Sequence, residues 1–242
     1  MRRLFLMKGE RQMSLFTIAD THLSLAGDKP MDVFSGWSNY VERLEKNWRA
    51  VVGEDDTVVM PGDISWELKL DSAAADFGFI NSLPGKKLII KGNHDLWWST
   101  VKKMRALTEK HGFDTIDFIN NSAVRVDDIC VCGTRGWLIE ESGTDSKLIN
   151  REALRLRASL EAGRQLGGEP VVFLHYPPIT QQNRCEELIS VIREFGCRRV
   201  YYGHIHGSSG VAWAINGEVD GVTYRLVSCD SVGFTPVLVQ QS

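Results

Sequence analysis

The chain predicts a layered α/β fold with two sheets in contact, and three features predict it. Through the first half, short apolar runs alternate with amphipathic helical segments, the texture of parallel strands with helices on their faces. Beyond residue 116 the runs crowd together with turn residues between them, which points to a second, more mixed sheet. No low-complexity segment, Pro/Ser-rich linker or fixed-period repeat interrupts the 242 residues. Residues 14–242 therefore read as one domain behind an N-terminal extension over 1–13, with Met13 as an alternative start.

Taken in order, 15–19 is a compact apolar run and so a buried strand. Residues 38–52 place Val41, Leu44, Trp48 and Val51 at helical spacing, with Ser38 as N-cap. A second strand falls at 57–60, and the Ala-rich 71–83 is a helix closed by Pro84-Gly85. A third strand spans 87–90, and a helix over 100–110 ends at His111-Gly112. Runs 117–119, 123–126 and 129–132 are short strands, and Asn120-Asn121 and Asp127-Asp128 between them suggest a meander. Residues 148–166 form a long helix with Leu148, Ala153, Leu156, Leu160 and Leu166 available for one face. A strand at 171–174, a helix at 185–195 and a strand at 199–202 follow, and 222–228 and 236–239 read as β again.

Composition narrows the class. Hydrophobic residues at 43% and charged residues at 24% are ordinary globular proportions, which argues against disorder and fibrous repeats. A formal charge of -3 argues against a protein that coats nucleic acid or anionic membrane. Five cysteines, an odd number in a chain of this size, argue against a disulfide framework and for a reducing compartment. No apolar run approaches the roughly 18 residues needed to cross a bilayer. The apolar stretch in Met1-Arg2-Arg3-Leu4-Phe5-Leu6-Met7 is too short for a signal peptide. A cytoplasmic chain is expected.

The chemistry lies at the strand ends. Asp20 and His22 follow the first strand, Gly62-Asp63 the second, and Gly92-Asn93-His94-Asp95 the third. His175 follows the strand at 171–174, and Gly203-His204-Ile205-His206 that at 199–202. In parallel α/β sheets the crevice beyond the carboxyl ends of the strands is the usual ligand site. Imidazole, carboxylate and carboxamide suit zinc, manganese or iron, whereas an iron–sulfur site needs positioned thiolates. The two-residue spacings Asp20-x-His22 and His204-x-His206 put both side chains on one side of an extended chain. Asp20, His22, Asp63, Asn93, His175, His204 and His206 are more ligands than one ion needs, and two ions sharing Asp63 would use them all. Two carboxylates leave two divalent ions undercompensated, so the site stays electropositive and fits an anionic phosphate ester.

These motifs, in this order over residues 20–206, resemble the calcineurin-like metallophosphoesterase superfamily. The resemblance implies a four-layer α/β/β/α sandwich, two mixed sheets flanked by helices, with a dinuclear centre of manganese, iron or zinc. It implies that Asp20, His22 and His206 hold one ion, that Asn93, His175 and His204 hold the other, and that Asp63 bridges. His94 would face the leaving-group oxygen, with Asp95 orienting it, while a metal-bridging hydroxide attacks phosphorus in line. The expected substrate is a small phosphomonoester or phosphodiester, a nucleotide among the candidates. Ser/Thr protein phosphatases of the superfamily carry an acidic, arginine-bearing extension after the Gly-Asp motif and Glu at the position of Asp95. This chain has Ile64-Ser65-Trp66 and Asp95 instead. Nuclease action is the alternative, disfavoured by the negative charge. A non-catalytic scaffold is disfavoured because every ligand position is filled.

Around this core, Arg135 in Gly133-Thr134-Arg135-Gly136-Trp137 is a candidate phosphate clamp, against a plain surface role. Trp66 is a candidate pocket wall. At least one of Trp97 and Trp98 is core. His111 is a helix-terminal cation, and the cysteines, including the same-face pair Cys130 and Cys132, are core residues.

Overall fold

Strands buried on both faces read as nearly continuous apolar runs, and that is how both sheets are built. The computed structural model describes residues 13–27, 29, 31–137 and 146–241; the extension read over 1–13 lies, Met13 apart, outside the described residues. In the first sheet β1 (Ser14–Thr17), β2 (Thr57–Pro61), β3 (Lys86–Ile90) and β4 (Ile116–Phe118) run parallel. The second sheet holds β5 (Ala123–Val126), β6 (Ile129–Thr134), β7 (Glu169–Leu174), β8 (Arg199–Tyr202), β9 (Gly217–Val219) and β10 (Val222–Leu226). Its order is β5-β6-β7-β8-β10-β9, with antiparallel strands only at the two edges. The last strand, β11 (Val237–Gln241), returns to the first sheet antiparallel to β1.

Alternate residues sort the strands into layers. Leu15, Val59, Leu88 and Ile90 of the first sheet meet Val131, Val171, Phe173 and Tyr201 of the second. Their neighbours Phe16, Val58, Met60 and Ile89 face the helices α1 (Tyr40–Val51), α2 (Ala74–Ser82) and α3 (Val101–His111). Cys130, Cys132, Val172, Leu174 and Val200 face α4 (Ser146–Leu166) and α5 (Glu186–Glu194). The result is the α/β/β/α sandwich. A one-residue slip in any central strand would exchange its two apolar faces, so register is fixed by the sheet-to-sheet and sheet-to-helix contacts together. The helices obey the same logic. Tyr40, Leu44 and Trp48, four residues apart, are buried on α1, and the Trp48 indole donates to the Pro84 carbonyl at 2.9 Å. Thr100 caps α3 by accepting from the Lys103 amide at 3.3 Å, and Gly112 closes it with φ 69°.

Three expectations change. The runs after residue 116 are not one meander: β4 pairs parallel with β3 in the first sheet, and only β5 and β6 form a hairpin, in the second. Asn121 and Asp127 take left-handed backbone (φ 56° and 50°), so the turn chemistry was read correctly, but the chain changes sheets at the first of the two turns. The residue before α1 is Asn39, in left-handed conformation with no side-chain cap, rather than Ser38. The short α6 (Gly207–Val211) and β9 carry no apolar period that a sequence reading can find. All five cysteines are free and buried. Among the described residues no helix is long and apolar enough to cross a membrane.

Candidate metal centre

The loops after β1 and β2 are zipped together: Asp20 N bonds Gly62 O, and His22 N bonds Asp63 O, each at 2.9 Å. Asp20, His22, Asp63 and His204 all have positive φ, between 45° and 71°. Non-glycine residues there cost about 1–3 kcal/mol each and are held only when the surroundings over-determine them. The nearby glycines serve close approach more than turning. A Cβ on Gly62 (φ 88°) would lie 2.6 Å from the backbone of Gly92. One on Gly92 would overlap the Asp63 carboxylate and amide, and one on Gly203 the Asp20 carboxylate.

Two sets of donors converge. Asp20, His22 and His206 form one group and Asp63, His175 and His204 the other, with donor atoms in each within 4.8 Å of one another. Asn93 joins the second group: its Oδ1 lies 2.6 Å from His175 Nε2 and 3.0 Å from His204 Nδ1. Asp63 stands between the groups, with Oδ2 3.8 Å from His22 Nε2 and 3.4 Å from His175 Nε2. His175 Nδ1 faces the Pro61 carbonyl at 3.1 Å and can only donate there, so its Nε2 carries the lone pair. That lone pair meets the Asn93 carbonyl oxygen, also an acceptor. His22 Nε2 and His206 Nε2 lie 3.2 Å apart. Acceptors in contact ask for a cation between them, so the residues fit the ions that the motifs imply.

Burial dominates the electrostatics of the two groups. Burial presses His22 and His204 down to about 3, so both are neutral, the form that ligates. Burial, then the Asp20 charge, pushes Asp63 up to about 8. Burial works against the imidazolium of His206 too, but Asp20 and then Asp230 hold it up at about 10.

The remaining expected residues fall into place around the groups. His94 lies beside the first group, its ring 5.7 Å from that of His22 and 4.3 Å from that of Trp66. Trp66 stacks on His22 at 4.8 Å, and both Trp66 and His94 line a hollow of about 880 Å³ next to His22 and His206. Asp95 is a correction. Its carboxylate is buried and accepts from the amides of Asp63, Ile64 and Gly92 at 2.7–2.9 Å and from the Trp97 indole at 3.1 Å. It ties the β2 and β3 loops together rather than orienting His94. Arg135 is not among the residues lining that hollow. Its guanidinium lies 4.7 Å over Trp137 and 3.9 Å from the buried Glu152, while its carbonyl accepts from the amides of His175 and Tyr176. Trp97 is core, 2% exposed, and Trp98 packs partly buried against it. His111 stacks on Phe113 at 5.3 Å, away from the groups.

Two acids escaped the sequence reading. Asp230 accepts from His206 Nδ1 at 3.0 Å and from the Gly207 amide at 2.8 Å, turning His206 Nε2 toward Asp20 at 3.3 Å. Asp76 on α2 accepts from the Leu25 amide and the Ser65 hydroxyl, fastening the loops behind His22 and Asp63. Neither sits next to a motif in sequence; only the lone Asp at the end of an apolar run, Val227-Ser228-Cys229-Asp230, hinted at the first.

Two metal-competent groups at the carboxyl edge of a two-sheet α/β/β/α sandwich define a metal-dependent phosphoesterase. The family model for calcineurin-like phosphoesterases matches residues 13–208. The chain belongs to that family. A stretch of 52 residues is 48% identical to the Gene 66 protein of Mycobacterium phage L5, covering 22% of this chain and 25% of the phage protein. Among solved structures, the protein of unknown function AQ665 from Aquifex aeolicus superposes with TM-score 0.53 at 14% identity, over 93% of this chain and 95% of that one. The phosphopantetheinyl hydrolase of Mycobacterium tuberculosis gives TM-score 0.50 at 15% identity, over 90% and 89%. Both likenesses are of fold.

Proposed function

We propose that the protein is a dinuclear-metal hydrolase of a small phosphomonoester or phosphodiester. Asp20, His22 and His206 would hold one ion and Asn93, His175 and His204 the other, with Asp63 available to both. The observation that carries this reading is the contact of acceptors with acceptors: His175 Nε2 against Asn93 Oδ1 at 2.6 Å, within a set of seven donors drawn from five strand ends. Manganese, iron or zinc suits the mixed nitrogen and oxygen donors. When bound, such ions make a nucleophile from water near neutral pH and neutralise charge growing on the phosphoryl oxygens. The protein does the rest. His94, on the hollow side, hydrogen-bonds the leaving-group oxygen and supplies its proton, held in place by the Trp66 ring. Asp95 keeps the two loops that carry Asp63 and His94 in register. A chain with net charge -3 favours a small ester over nucleic acid as substrate, working in the cytoplasm.

The test is hydrolysis of p-nitrophenyl phosphate beside bis-p-nitrophenyl phosphate by metal-stripped protein, with manganese, iron, zinc, nickel or magnesium restored singly. Turnover should need metal and fall at least about 100-fold in Asp63→Asn and in His94→Ala. Metal-independent turnover, or turnover that survives both substitutions, would overturn the assignment.

A further inference from the structure

We infer that the hollow beside the first group seats the leaving group of the substrate, and that this leaving group is an alcohol of nucleoside size carrying a planar ring. The inference rests on the hydrolase reading above and narrows it to a substrate class. The hollow opens on His22, His94 and His206; none of Asp63, Asn93, His175 or His204 lines it. It therefore lies on the side of the site where the departing oxygen meets His94.

Size argues first. At about 880 Å³ the hollow falls in the upper range of sites for whole organic ligands, roughly 300–1,000 Å³. A glycerol-sized alcohol would leave most of it wet. The walls argue next. Phe34 lines the hollow and is 56% exposed, next to Val33 at 75%, an apolar surface that no described residue covers. Trp66 stacks on His22 and has the Lys29 ammonium 5.1 Å from its ring centre, so the Phe34 ring is the more open platform for a flat partner. The hydroxyls of Ser35, Ser208 and Ser209 also line the hollow, which suits a hydroxylated ring system better than an acyl chain.

Charge completes the argument. Asp230, the one carboxylate among the described residues of the wall, is engaged by His206 and the Gly207 amide. Arg43 lies flat on Phe234 at 4.3 Å, with Nη1 donating to the Gly36 carbonyl at 2.7 Å. Its Nε and Nη2 have no bond to any described residue, so that edge of the fork is open to acceptor atoms on the ring.

The experiment has two arms. In metal-stripped protein, adenosine should bind saturably by titration calorimetry and quench tryptophan fluorescence, while glycerol should do neither. Phe34→Ala should weaken adenosine binding about tenfold, and Phe34→Tyr should restore it. In metal-loaded protein, adenosine should inhibit turnover of whichever p-nitrophenyl ester is cleaved, competitively and with the same tenfold loss in Phe34→Ala. Absence of adenosine binding, or binding indifferent to Phe34→Ala, overturns the inference even where both esters are hydrolysed. Failure of every metal to give turnover sinks the hydrolase reading instead, and the metal-free arm still decides what the hollow holds.

Discussion

Asp230 acts through another side chain. By accepting the proton of His206 Nδ1 it fixes the tautomer and turns Nε2 into the first group. Carboxylates behind a ligating imidazole typically contribute about 10- to 100-fold to metal affinity. Asp230→Ala should therefore weaken one of two metal-binding steps by that factor and leave the other within about twofold; chelator competition resolves the two steps. Equal weakening of both would mean general loosening of the site. Gly92 is the opposite case, a residue that matters for what it lacks. A methyl there would overlap Asp63 Oδ1 and N, and the neighbour is backbone that the Asp95 carboxylate already holds. Gly92→Ala should displace Asp63, abolish metal-dependent turnover and lower stability by about 1–3 kcal/mol, read from urea denaturation. Full activity in that variant would show that the Asp63 loop has slack that the hydrogen bonds deny.

Among the elements, β3 carries a buried titratable group unconnected with the site. Lys87 is fully buried, and its ammonium donates to the carbonyls of Leu83 and Gly85, which join α2 to β3. Burial presses its pKa from 10.5 down to about 8. The group is a base with a depressed folded pKa, so below about pH 8 the fold carries the cost of the buried charge. Between about pH 8 and 10.5 the unfolded chain binds more protons than the folded one, and stability rises with pH. The neutral amine keeps two N–H groups, enough for both carbonyls. The unfolding free energy of the wild type should gain about 3 kcal/mol on Lys87→Met between pH 7 and pH 11. Comparing the two proteins across pH cancels the titrations they share, and a constant difference would refute the linkage. Elements also show what the sequence could disclose. The central strands were legible as short continuous apolar runs and the long helices by a 3.6-residue apolar period, because both are local properties. The sheet to which each strand belongs is not local, which is why β4 was grouped with β5 and β6. At the site, the motifs were legible because ligand chemistry restricts residue type. Asp230, Asp76 and the true partners of Asp95 were not, because a carboxylate that accepts backbone amides leaves no spacing to read.

For the whole molecule, the two groups lie where the sheets meet, and each draws on both sheets. Asp20, His22, Asp63 and Asn93 follow strands of the first sheet; His175, His204 and His206 follow β7 and β8 of the second. Bonds already cross there: His204 N to Asp20 Oδ2 at 3.0 Å, and Ala19 N to Val227 O at 2.8 Å. Elsewhere apolar side chains fill the contact, Leu88, Val131 and Phe173 among them, and Arg199 of β8 reaches the Val239 carbonyl of β11 at 3.0 Å. This edge brings two carboxylates and four imidazoles together, with Asp20 Oδ1 3.3 Å from His206 Nε2. Ions held there would be bonded from both sides and would clamp one sheet to the other. At 100 times its dissociation constant each ion contributes about 2.7 kcal/mol, so two contribute about 5 kcal/mol. In a chain of 242 residues that corresponds to a rise in Tm of roughly 10–20 °C over the chelated protein. Asp20→Asn should remove the share of the first ion and His204→Ala that of the second, so each variant keeps about half the rise. Calorimetric scans with and without chelator measure this directly. A Tm unmoved by metal, in protein that binds two ions, would mean that the sheets are already locked and that the ligands serve chemistry alone.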